Sequence, residues 1–121
     1  MKSFRVDVYG QDVLLFASKK DLEKWQRKNL VEDAETLKSE VAMSQGMAGV
    51  LCMQDGSVSW FIYLEEKNLV TLSHEATHLA YLMLDMVGVV HTADNHECLA
   101  YLQDHIFSSC ANLLKIPTIF E

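Results

Sequence analysis

His74-Glu75-Ala76-Thr77-His78 is the segment whose residue types and spacing point to chemistry. Four residues is slightly more than one helical turn, so on a helix the two imidazoles stand on one face, with Cβ atoms roughly 5–6 Å apart. From there both can reach one ion at a Zn–N distance of about 2.0–2.1 Å. Glu75 falls one residue off the pair, beside an open coordination position. A carboxylate there takes a proton from a water that the metal has made more acidic. Composition alone yields only ~0.015 such histidine-glutamate-x-x-histidine matches in a chain like this one. The competing reading is two exposed helix histidines with a surface glutamate between them.

A catalytic zinc that keeps one position open takes three protein ligands. Glu97 is the candidate for the third, with 18 residues between it and His78. A structural use competes for it, because Asp94-Asn95-His96-Glu97 also reads as a capping box in which Glu97 folds back onto the Asp94 backbone. Thr92 as an earlier cap would release it. Tyr101, one turn beyond Glu97, is placed either to orient a ligand and donate to a developing oxyanion or to fill the core with its hydroxyl satisfied. Tyr81, one turn after His78, has the same two readings. His91, His96 and Cys98 make an alternative donor set without a standard spacing. His105 reads as a partly buried, hydrogen-bonded histidine.

This pattern resembles the gluzincin metallopeptidases, a group that includes thermolysin-like enzymes and the zinc aminopeptidases. The residues that carry the likeness are the His74–His78 motif and Glu97-Cys98-Leu99-Ala100-Tyr101, within residues 57–105. The chain length and the order strand, motif helix, glutamate helix are similar to the minimal single-domain members, and the ImmA/IrrE-type regulatory peptidases have a related layout. The resemblance implies zinc held by His74, His78 and Glu97, with Glu75 as general base and a peptide or protein as substrate. It also implies that an edge strand beside the motif helix pairs with the substrate, a role that falls on Ser57 to Leu64. The glycine-methionine-glutamate-asparagine exopeptidase loop of the aminopeptidases is absent, so their specificity does not transfer.

The elements that must position these residues are legible from periodicity. Residues 4–9 alternate apolar and polar as a half-buried strand does, and Val13 to Ala17 reads as its return after Gly10 to Asp12. Ser18-Lys19-Lys20-Asp21 opens a short polar helix to about Asn29, whose basic residues form a solvated face. A second helix is expected over Ala34 to Met43. Val50 to Met53 and Val58 to Leu64 flank Asp55-Gly56, a tight hairpin turn that wants positive φ at both central positions. Trp60, Ile62 and Leu64 share one face of that strand, with Phe61 and Tyr63 on the other. From Asn68 the period becomes 3.6, with Leu72, Ala76, Leu79, Met83 and Met86 on one stripe, and Met83, Met86 and Val87 as core. Gly88 ends this helix. A last helix spans about Asp94 to Leu114, with Leu99, Leu102, Ile106, Cys110 and Leu113 facing inward and Pro117 stopping it. The expected fold is a single α+β domain over residues 1–121, a small and mostly antiparallel sheet from two hairpins packed on two long C-terminal helices.

Composition narrows the function classes. Of 121 residues, 50% are hydrophobic and 22% charged, which suits one globular core. The net charge of −7 lies wholly in residues 41–121, where Lys67 and Lys115 face nine acids. No nucleic-acid partner is expected, because no basic groove is available for phosphates. No membrane partner is expected either, since the apolar stretch 79–90 is short and broken by Asp85. Cys52, Cys98 and Cys110 are odd in number and widely spaced, and Arg5 and Asp7 interrupt any leader pattern. The expected compartment is the cytoplasm. The leading reading is a small zinc-dependent peptidase. The alternative is a non-catalytic, zinc-containing binding or regulatory protein with a peptidase-like fold, of the kind a virus or prophage directs against a host protein.

Overall fold

Strand β4, Val58–Leu64, lies inside a four-stranded sheet of order β1-β2-β4-β3 in the computed structural model, which describes residues 1–29 and 44–116. β1 (Lys2–Val6) pairs antiparallel with β2 (Gln11–Phe16), and β3 (Gly46–Cys52) pairs antiparallel with β4. The two hairpins meet through a parallel pairing of β2 with β4, with Val13 opposite Trp60 and Leu15 opposite Ile62. The sheet is therefore mixed, with antiparallel pairs on either side of one parallel junction. Helix α1 spans Lys19–Asn29, α2 spans Leu69–Met86 and α3 spans His96–Leu114. The helix expected over Ala34 to Met43, and the stop at Pro117, lie outside the described residues.

The alternation along β4 creates two cores. Trp60, Ile62 and Leu64 pack with Leu72, Ala76, Leu79 and Met83 of α2 and with Leu102, Ile106 and Cys110 of α3. Phe61 and Tyr63 point the other way, into a second core with Phe16, Leu22, Leu51 and Met53. Both faces of β4 are thus consumed by packing. The expectation that Ser57 to Leu64 forms the open edge is corrected, because in a sheet of this order β3 and β1 are the edges. The sequence looked like an edge with a contact face because apolar residues occur on both sides, which is equally what a central strand shows.

Other boundaries move for identifiable reasons. β1 stops at Val6 rather than Tyr9, because Asp7–Tyr9 form a 3₁₀ turn closed by Gly10 at φ 60°. Val8, expected on the apolar face, is 78% exposed in that turn. At the second hairpin only Gly56, at φ 88°, is left-handed. Asp55 instead accepts from Ser57 N at 2.9 Å and from Ser57 Oγ at 2.6 Å. These bonds hold the Asp55 carboxyl below its ordinary pKa. Met86 and Val87 are not core, being 57% and 40% exposed. They stand at the C-terminal end of α2, Met86 as its last residue and Val87 as its cap.

Asn68 caps α2, its Oδ1 accepting from Val70 N at 2.8 Å and Thr71 N at 3.2 Å. Past Met86 the chain turns at Gly88, with φ 84°. Among the described residues no helix is long and apolar enough to cross a membrane. Because the cap satisfies helix donors one turn before the motif, Asn68→Ala should cost about 1 kcal/mol in chemical denaturation, and Asn68→Ser much less.

Candidate metal centre

α2 is turned by its own packing. With Leu72, Ala76, Leu79 and Met83 fully buried, a rotation of about 100° per residue leaves positions 74 and 78 on the outer face. His74 and His78 are both exposed, and their Nε2 atoms stand 3.1 Å apart. Two ligand nitrogens on a tetrahedral zinc, each at about 2.0–2.1 Å, are separated by about 3.3 Å. The observed spacing is close to that value, and it is equally that of a hydrogen bond from one ring to the other. The rings meet edge to face, with centroids 4.6 Å apart. Among the described residues, neither imidazole gives its other ring nitrogen to a carboxylate or carbonyl, the arrangement that commonly steadies metal-binding histidines.

Glu75 sits at the margin between core and solvent and is 6% exposed. Its Oε1 lies 4.0 Å from His74 Nε2. Burial pushes its carboxyl up from the ordinary range, and the charges available on His74 and His78 pull against that shift. Donor atoms of His74, Glu75 and His78 all lie within 4.8 Å of one another, the only such group of metal-capable side chains among the described residues. Two imidazoles and a carboxylate are a donor set that could hold a divalent ion.

Glu97 stands apart from that group. It lies in the first turn of α3, its Oε1 3.6 Å from His96 Nδ1, with the side chain 64% exposed. It does not form the capping box either. Asp94 N donates to Thr92 Oγ1 at 3.2 Å, and the residue at the cap position is Asn95. Asn95 Oδ1 ties the preceding loop instead, accepting from Thr92 N at 2.7 Å. α2 continues eight residues past His78, about 12 Å of helix, before the connection to α3 begins.

The remaining candidates are also placed. Tyr101 is 69% exposed and lines a cavity of about 360 Å3 with Val6, Tyr9, Cys98, Leu102 and His105, none of them in the histidine pair. Tyr81 is 52% exposed, its ring 6.0 Å from that of His91. His91, His96 and Cys98 do not form a donor group. His105 Nε2 donates to Arg5 O at 3.0 Å, a hydrogen-bonded histidine as expected, although an exposed one. All three cysteines are free, and burial pushes the Cys110 thiol up to about 12.

The sequence places the hairpin strand at Val50 to Met53, and β3 proves longer, beginning four residues earlier at Gly46. Its first residue, Gly46, lies against α2 beside Thr71 and Glu75. The glycines of Gly46-Met47-Ala48-Gly49 were the available signal, since glycine in a strand often marks a close backbone approach. No family model matches the chain, and no curated protein or solved structure matches it significantly.

The buried Glu75 gives a stability test in metal-free protein. A carboxyl raised by desolvation is disfavoured as an anion, so its folding penalty is absent below the unfolded-state pKa, sets in as pH rises above it, and is complete above the folded-state value. Glu75→Gln should therefore raise the Tm of metal-free protein at pH 7, with the gain shrinking as the pH is lowered towards 4. A pH-independent difference between the two would remove the desolvated anion from the account.

Proposed function

We propose that this protein is a zinc-dependent peptidase whose metal is held by His74 and His78 and whose proton acceptor is Glu75. The observation that carries this reading is the convergence of two Nε2 atoms, 3.1 Å apart, beside a buried carboxylate on one helix. Zinc bound there would polarise a peptide carbonyl and lower the pKa of a water. Glu75, hard to keep as an anion in its desolvated place, gains from taking a proton off that water and then delivers it to the leaving amine. The exposed imidazoles leave the outer side of the pair open to a substrate.

Strand β3 supports the substrate class. Among the described residues it is an edge strand, of sequence Gly-Met-Ala-Gly-Val-Leu-Cys, with no charge and no proline, two usual protections of a sheet edge. An extended peptide added to such an edge gains main-chain hydrogen bonds, while alternate side chains find their own pockets. Because β3 lies against α2 at Glu75, a peptide along that edge would pass the histidine pair. Glu97 completes the proposed ligand set if its carboxylate exchanges His96 for the metal. Tyr101 enters the proposal as an oxyanion donor only by the same rearrangement of α3.

A second reading, a zinc-containing binding protein without turnover, is favoured by one specific observation: Glu97 pairs with His96 rather than with the His74–His78 group. Mutagenesis separates the two. Wild type should bind about one zinc per chain, and His74→Ala or His78→Ala should abolish binding. Glu97→Ala should weaken zinc by at least tenfold on the peptidase reading, whereas unchanged affinity supports the second. Glu75→Gln should keep zinc but lower hydrolysis of an unstructured protein substrate by about 10²–10⁴-fold. Equal hydrolysis in both proteins, with zinc present in both, would remove Glu75 as the base.

A further inference from the structure

The geometry points to Gly46 as a positioning residue for Glu75. A Cβ built on Gly46 would stand 2.8 Å from Thr71 Cγ2, 3.1 Å from Glu75 Cγ and 3.3 Å from Tyr63 O. Contacts this short force a neighbour to move, and the neighbours are poorly able to do so. Thr71 is β-branched and stiff at χ1 within a helix. Tyr63 contributes backbone from the buried centre of the sheet, and its side chain is 1% exposed. Glu75 is the member with freedom left, through its methylenes.

The glycine is there for space rather than for backbone conformation. Gly10, Gly56 and Gly88 are the glycines at positive φ, whereas Gly46 has an ordinary strand backbone and pairs with Leu64 in the β3–β4 register. Any L-residue could adopt that backbone, and glycine inside a strand weakens it. What glycine supplies is a seat without a side chain, against which the second turn of α2 closes. Gly49, in the same strand, meets only Phe61 Cε1 at an ordinary 3.6 Å. The tight approach is confined to the end of β3 that faces the motif.

Steric support matters here because nothing polar supplies it. Among the described residues no hydrogen bond holds the Glu75 carboxylate, and its ionic neighbour His74 is 4.0 Å away. The placement the structure does show is steric: the Glu75 methylenes lie against the bare backbone of Gly46. Adding one methyl at position 46 would push Cγ, and the carboxylate with it, off the imidazole pair. This role rests on the reading of Glu75 as proton acceptor, but the placement itself can be measured without metal or turnover.

The test uses full-length Gly46→Ala, with Gly49→Ala as control and Gly46→Ala/Thr71→Ala as rescue, because the latter removes the shortest clash. In metal-free wild type, nuclear Overhauser contacts should link Glu75 Hγ to Gly46 Hα and to the His74 and His78 rings. Gly46→Ala should lose the ring contacts, Gly49→Ala should keep them, and the rescue variant should regain most of them. In zinc-loaded protein, Gly46→Ala should hold zinc within threefold of wild type while hydrolysis falls tenfold or more. Hydrolysis by Gly49→Ala should stay within twofold. An unchanged Glu75 contact pattern in Gly46→Ala, an equal loss in Gly49→Ala, or no recovery in the rescue variant overturns the proposal. If Gly46→Ala does not fold, recovery of fold and contacts in the rescue variant still decides it. Failure of wild type to bind zinc would overturn the metal reading instead, leaving the metal-free contacts to judge Gly46.

Discussion

The double burial of β4 is the constraint on which the rest of the structure depends. Its alternate residues serve two cores, Trp60, Ile62 and Leu64 on one face and Phe61 and Tyr63 on the other, all 2% exposed or less. Each such side chain contributes roughly 1.5–3 kcal/mol of transfer free energy, and a slip of one residue would exchange the two sets. The register is therefore firmly held. β4 must be central, β2 and β3 must flank it, and the long helices must cover the Trp60 face.

From that packing the orientation of α2 follows without any reference to chemistry. The stripe Leu72, Ala76, Leu79, Met83 seats on β4 and α3, so His74 and His78 face outward and Glu75 takes the boundary. A boundary position gives Glu75 its particular character: enough burial to raise its pKa, with enough access to stay near the imidazoles. Core packing thus sets both the convergence of the two rings and the electrostatics of the carboxylate between them.

The parts legible in the sequence are those governed by local periodicity. β4 has the expected bounds, α2 begins after Asn68 and turns at Gly88, and α3 ends at Leu114. Relations between segments were less legible. Apolar residues on both faces of residues 58–64 suit a central strand or an edge strand with a contact face, and only pairing with β2 decides it. Met86 continues the helical stripe, yet it is the last residue of α2 and is 57% exposed, and periodicity alone does not say which turns of a helix find a partner. The histidine pair was readable because a four-residue spacing is intrinsic to one helix. Glu97 belongs to another helix, and spacing along the chain does not fix where a nine-residue connection between α2 and α3 delivers its carboxylate. The role of Gly46 was out of reach for the same reason, since a glycine does not name the partner that approaches it.

The central proposal is that the outward pair on α2 holds a metal ion. Zinc K-edge absorption on protein loaded with one equivalent of zinc tests it most directly. The account predicts a first shell of nitrogen and oxygen at about 2.0–2.2 Å, with outer-shell scattering from two imidazoles and no sulfur. Those imidazole features should vanish in the His74→Ala/His78→Ala double variant. A sulfur at about 2.3 Å would place the metal on a cysteine instead, and an unchanged spectrum in the double variant would show that the pair does not hold it. Either result contradicts the account.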